Sequence, residues 1–163
     1  MNAGDAAEPD DIWLRPVTNE THLKGKMVHH GALKKWITPP DDPLKPWKLE
    51  FSGRLRSMIT GISADAINKV ESQKAKLIAT KKKIPSALKY CGILHIPVES
   101  VRSIPEFNGD VIYDPTNDPA HANIVIKDKD VSDILTVTEV LIRNLVFLES
   151  SLVAANATFS ARA

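Results

Sequence analysis

The chain has 163 residues, 43% of them hydrophobic, and its 21 Lys and Arg against 20 Asp and Glu give a formal net charge of +1. That length suits one domain, able to bury about 70% of the surface its unfolded chain exposes. The balanced charge excludes nucleic-acid binding through overall charge, and it excludes an acidic solvating tail.

The single cysteine, Cys91, excludes an internal disulfide and a Cys-x-x-Cys metal site. No apolar run approaches the ~18 residues a membrane span needs. The first residues carry Asp5, Glu8, Asp10 and Asp11, and they lack the basic start and apolar stretch of a secretory signal. The Asn-x-Thr patterns at Asn19 and Asn156 are then chance matches, and the expectation is a soluble cytoplasmic protein without a membrane partner.

In chain order, residues 1–11 are small, acidic and aperiodic, and are expected to be a disordered lead-in. Ile12 to Val17 reads as a short strand ending near Pro16. Met27 to Leu33 fits either a strand or a turn. Thr38 to Pro46 holds four prolines in nine residues, which forbids a helix interior or a central strand and predicts a surface loop. Trp47 to Phe51 alternates apolar and charged residues, the period of a half-buried strand. Ser63 then looks like an N-cap, with Asp65 in an acidic first turn. The helix it opens should run to about Ala79, with Ile67, Val70, Leu77 and Ile78 on one face. Lys81, Lys82 and Lys83 follow before Pro85 breaks the chain.

Cys91 to Val98 is apolar almost throughout and predicts a strand inside a sheet, closed by Pro97. Glu99 to Ile104 fits one or two helical turns. Asn108-Gly109-Asp110 is turn chemistry, followed by a short strand over Val111 to Tyr113. Asp114 to Pro119 is again a turn, and His121 to Ile126 a strand. Ile134, Val137, Leu141, Leu145, Leu148 and Leu152 recur at steps of three and four. They predict an amphipathic helix of about 20 residues, capped by Ser132 or Asp130. Its other faces carry Leu135, Val140, Ile142, Val146 and Phe147, more apolar surface than one stripe needs. Residues 154–163 should fray. These elements make an α+β fold: a small mixed sheet packed by a central helix and a long C-terminal helix, in one domain over residues 12–153.

Several residues also resemble a group of small bacterial proteins with no established activity. They are Arg15-Pro16-Val17, Gly25-Lys26-Met27-Val28 and Ala32-Leu33, then Gly92-Ile93-Leu94-His95-Ile96-Pro97-Val98-Glu99, then Asp114-Pro115 with Pro119-Ala120-His121-Ala122-Asn123-Ile124. The chain departs from the group at Leu33, where the group has Phe. It departs again at Leu49-Glu50-Phe51-Ser52, where the group has a Leu-Ser-Val-like strand. The resemblance implies a bacterial or phage origin and no particular activity.

His121 follows a proline-bearing turn and opens a strand, a place from which a general acid or base can face a cleft. The alternative is a turn histidine bonded to backbone or to Asp118. His29 and His30 are adjacent, so on a strand they point to opposite faces and cannot share a metal. One of them could join His121, with Arg15 holding a phosphate or carboxylate. His95 alternates within an apolar strand and reads as a core histidine, and His22 is uninformative. Asp41, Asp42, Asp114, Asp118, Asp128 and Asp130 form no metal-binding spacing, so no metal is expected. Lys69, Lys74, Lys76, Lys81, Lys82, Lys83 and Lys89 form a basic segment, which could track a phosphate backbone or be a solvated helix end. Cys91 reads as a structural thiol. No glycine-rich phosphate loop or nucleotide fingerprint is present, and no cofactor is expected.

Three functions follow. The first is an accessory protein docking on a larger partner, or on its own copy, through Val140, Val146 and Phe147 of the last helix. The second is a small enzyme or toxin-like effector using His121 with His29 or His30 and Arg15. The third is nucleic-acid binding led by Lys81, Lys82 and Lys83.

Overall fold

The computed structural model describes residues 1–24, 27–39, 41–42, 47–129 and 133–153. Strands are β1 (Ile12–Asn19), β2 (Leu23–Lys24), β3 (Met27–Val28), β4 (Lys35–Thr38), β5 (Trp47–Leu55), β6 (Leu88–Pro97), β7 (Asn108–Tyr113), β8 (His121–Lys129) and β9 (Val146–Glu149). Helices are α1 (Ile62–Ala79), α2 (Val98–Arg102) and α3 (Ile134–Asn144). The fold is α+β. The small mixed sheet expected from the sequence is a seven-stranded sheet in the order β7-β8-β5-β1-β6-β9, with β4 also on β5. Every described pairing in it is antiparallel.

Alternation along each strand divides the sheet into two faces. One face carries Trp13, Val17, Leu49, Phe51, Leu55, Leu94, Ile96, Val111, Ala122, Ile124 and Ile126. Val98 and Val101 of α2 and Val137, Val140 and Leu141 of α3 cover it. The other face carries Ile12, Leu14 and Ile93, packed against Ile62 and Ala66 of α1. The largest buried side chain, Trp13, crosses from β1 over β5: its indole N–H donates to the carbonyl of Ala122 on β8, 3.1 Å away. The ring passes over Gly53, and a Cβ there would overlap ring atoms outright. Gly53 is therefore the position that lets β1 reach across its neighbour.

The C-terminal helix is shorter than its periodicity suggests. It stops at Asn144, whose side-chain amide donates to the Val140 carbonyl at 2.8 Å. Leu145 turns extended, and Val146 to Glu149 pair with Gly92 to His95 of β6. Leu148 and Leu152 keep a helical spacing by coincidence, since short apolar runs fit either period. Gly92 permits the docking: a Cβ there would stand 2.8 Å from the Phe147 ring.

Other elements also differ from expectation. The lead-in is ordered: Gly4 and Ala7 donate to the carbonyls of Tyr113 and Val111, each at 2.8 Å, and Ala7 is buried. Asn108-Gly109-Asp110 is the start of β7 rather than a turn, with Gly109 opposite Ile126. Strand β1 runs through Pro16 to Asn19; its pairing with β5 is confined to Trp13 and Leu14. On α1 the buried residues are Ile62, Ala66 and Val70, while Ile67 and Ile78 are exposed. Gly61, not Ser63, is its N-cap. Most of the proline-rich loop, the proposed caps Asp130 and Ser132, and residues 154–163 lie outside the described residues. Among the described residues, no helix is long and apolar enough to cross a membrane.

Gly53→Ala should lower the free energy of unfolding by about 3 kcal/mol or more, because neither the indole nor the backbone has room to move. Urea denaturation measures it, and an unchanged midpoint would mean that the ring does not lie over this glycine.

Candidate functional site

Strand β5 alternates apolar Phe51, Gly53 and Leu55 with polar Ser52 and Arg54. The register sets Ser52 opposite Asn123 and Arg54 opposite His121 on β8, so these four side chains share the α1 face. The turn Asp114 to Pro119 returns β7 into β8, its ends joined by Asp114 N–H to the His121 carbonyl at 2.9 Å. It also places the Asp114 carbonyl 3.0 Å from His121 Nδ1. A carbonyl only accepts, so Nδ1 carries the proton and Nε2 is left as an acceptor. The Ser52 hydroxyl lies 2.9 Å from Nε2 and donates to it. The Asp114 carboxylate stands 3.7 Å from Nδ1.

Around this pair the charges are ordered. Arg54 bonds Asp65 of α1, and its Nε lies 2.7 Å from Asp118 Oδ2. Burial alone would raise the Asp118 carboxyl, but the Ala120 N–H and the Arg54 guanidinium outweigh it and hold the group below its ordinary range. Asn123 is buried, and its Oδ1 has no donor among the described residues. An unsatisfied buried acceptor beside a serine–histidine pair is the kind of exception that marks functional sites.

Arg15 arrives from the other side. One edge of β5 is shared: residues 48–51 pair with β4, and Arg54 and Leu55 pair with β1. Arg15 fills the fork between them, donating from Nε to the Ala32 carbonyl at 2.8 Å and from Nη1 to the Ser52 carbonyl at 3.2 Å. Burial lowers its pKa. Lys69 of α1 is exposed, and its pKa is also lowered, by desolvation first and then by Arg15 and Arg54.

His121 thus meets the Ser52 hydroxyl, and Arg15 the Ser52 carbonyl. His29 and His30 do not join them. Their rings stack at 4.1 Å in a short 3-10 turn, where His29 Nδ1 accepts from the Gly31 N–H. They line a separate cleft of about 430 Å³ with Met27, Glu139 and Arg143. Lys81, Lys82 and Lys83 are exposed beyond the end of α1, away from any of these contacts. Among the proposed interface residues, Val140 is buried in the core, Val146 is exposed, and Phe147 is half-buried beside β6. These three therefore do not form one helical face. His95 is a buried core residue, as its place in the apolar strand suggests. Cys91 is half-exposed, and burial raises its thiol pKa. Among the described residues, no group of three or more His, Cys, Asp or Glu is arranged to hold a metal ion.

Ser52, Arg54 and Asp65 were not singled out as site residues by sequence. The signal for Ser52 and Arg54 was the alternation of β5, which sets them in one row with Lys48 and Glu50, while Asp65 showed only as an acidic residue in the first turn of α1. Set against known protein families, curated proteins and solved structures, the chain matches none of them.

Asp118 makes the site sensitive to acid. A carboxyl depressed by folding contributes stability above its unfolded pKa of about 3.9, and that contribution is lost as pH falls through the lower folded value. Asp118→Asn should destabilise the protein by about 1 kcal/mol at pH 7, solvent screening part of the pair. It should also flatten the loss of stability below about pH 4. Urea denaturation across pH measures both, and parallel acid limbs in the two proteins would exclude the role.

Proposed function

We propose that the chain is a small enzyme that cleaves an ester through a serine activated by a histidine. The observation that carries this reading is the Ser52 hydroxyl 2.9 Å from His121 Nε2, with the opposite ring nitrogen held by the Asp114 carbonyl. Serine is a weak nucleophile unless a base accepts its proton during attack, and the base must present the correct tautomer. Both requirements are met here without rearrangement.

In this reading Ser52 Oγ attacks the ester carbonyl carbon while its proton passes to His121 Nε2. The carbon–oxygen bond to the leaving alcohol breaks, and Nε2 returns the proton to that oxygen. Water then attacks the acyl-serine, giving one proton to Nε2, and the acid departs as Ser52 Oγ recovers that proton. Throughout, the Asp114 carboxylate faces the outer edge of the ring as it becomes an imidazolium. Asp118 holds Arg54 in place beside it. His29 and His30 have no part in these steps.

A fluorophosphonate probe tests the reading without knowledge of the substrate. Ser52 should acquire a single adduct, located by mass spectrometry of its peptide. His121→Ala should slow labelling by about 100-fold or more, the usual contribution of a general base. A folded protein that leaves Ser52 unlabelled, or labels equally fast without His121, refutes it.

A further inference from the structure

We infer that the side-chain amide of Asn123 receives the negative charge that forms on the ester oxygen when Ser52 attacks; this rests on the reading above. Attack makes the carbonyl carbon tetrahedral. The π electron pair moves onto the carbonyl oxygen, and it returns when the bond to the leaving alcohol breaks. That transient oxyanion needs hydrogen-bond donors already in place.

The main chain around Ser52 has none to offer. The Ser52 N–H donates to the Lys34 carbonyl at 2.9 Å, and the Ser52 carbonyl accepts from Arg15. Both groups point away from β8. The residues on either side in the alternation point into the ladder: Leu55 donates to the Ala120 carbonyl at 2.9 Å, and Gly53 stands in the same phase opposite Ala122. Arg54, a side-chain donor on the same face as the Ser52 hydroxyl, is taken by Asp65 and Asp118.

The same phase brings Asn123 close. Ser52 turns its main-chain groups away from β8, so Ser52 and Asn123 form the narrow kind of antiparallel pair, whose opposed side chains approach most closely. Their β-carbons then lie ~5 Å apart. His121 stands two residues before Asn123, so the serine has its base on the diagonal and an amide directly across. Asn123 is 4% exposed, its Oδ1 has no donor, and among the described residues nothing accepts from its Nδ2. A buried acceptor without a donor lowers stability. Valine, which fills the next position of this row as buried Val125, suits a strand without that penalty. The amide therefore does not serve the fold. Its Nδ2 protons are uncommitted donors directly across from the serine.

Asn123→Val keeps a strand-forming residue and removes both donors. With p-nitrophenyl acetate as the probe, it should lower kcat and kcat/KM together by about 100-fold or more, the pattern of a contact made only in the transition state. The pH midpoint of the rate, set by His121, should not move. A second probe isolates the oxygen. In the thionoester analogue, sulfur replaces the carbonyl oxygen and accepts hydrogen bonds poorly, so the same substitution should slow it about tenfold or less. Urea denaturation verifies the fold, and Asn123→Ala takes the place of the valine variant if that one does not fold.

A folded variant with unchanged kcat/KM overturns the inference. So does an equal loss on ester and thionoester, or a shifted pH midpoint, since either means that the loss runs through the Ser52–His121 pair. The two proposals separate cleanly. Fluorophosphonate labelling of Ser52 in the parent, with ester hydrolysis untouched by Asn123→Val, sinks only this one. A parent whose Ser52 is never labelled sinks the esterase reading and this inference with it.

Discussion

Two side chains of β1, Trp13 and Arg15, hold the sheet together where the edge of β5 passes from one partner strand to another. Strand β5 pairs with β8 along its length, but its other edge is divided between β4 and β1. Such a division leaves backbone groups with no strand opposite them, and buried backbone groups must find partners. Arg15 answers for the carbonyls of Ala32 and Ser52. Trp13 reaches past the division to the carbonyl of Ala122. The sheet therefore stays continuous through side chains where its main-chain ladder is interrupted.

The chemistry of the candidate site is a by-product of that solution. The division falls at Ser52 and Gly53. It brings a guanidinium against the backbone of Ser52 in the plane of the sheet, while the Ser52 hydroxyl rises on the α1 face toward His121. The requirement that places a charge there is structural, since the guanidinium is spent on the carbonyls of Ala32 and Ser52. Arg54 shows the contrasting case: two carboxylates tie it down, and it serves as a brace between β5, α1 and the turn that carries His121.

How much of this was legible in the sequence depends on which interactions decide each element. Strands β1, β6 and β8 were readable, because local pattern and tertiary burial agree there; helix α1 was readable in extent but not in face, since burial falls on Ile62, Ala66 and Val70 and leaves Ile67 and Ile78 exposed. The end of α3 was not. Leu148 and Leu152 continue a helical spacing, and only the space above Gly92 on a distant strand makes Val146 to Glu149 extended. The same limit applies to the site. His121 and Arg15 stood out by residue type, but Ser52 became significant only through the register of β5 on β8. Register is set by all the strands together. Asn108-Gly109-Asp110 misled for a simpler reason: Gly109 packs under Phe107, so its missing side chain serves packing rather than a reversal of the chain.

The ordered acidic segment at the start of the described chain has a consequence for how the molecule meets other copies of itself. Strand β7 is the last in its direction, and an outermost strand offers open hydrogen-bonding groups to any extended peptide. Here Gly4, Asp5 and Ala7 occupy those groups on Tyr113 and Val111, and Arg102 clamps the Ala7 carbonyl at 2.6 Å. The segment works as a selvedge, finishing the fabric on that side with a strip too irregular to be extended. On the opposite margin β9 is finished by brevity, with only four residues to copy. The borders of the sheet at β7 and β9 are thus closed to further weaving by different means, one by a covering thread and the other by running out of cloth.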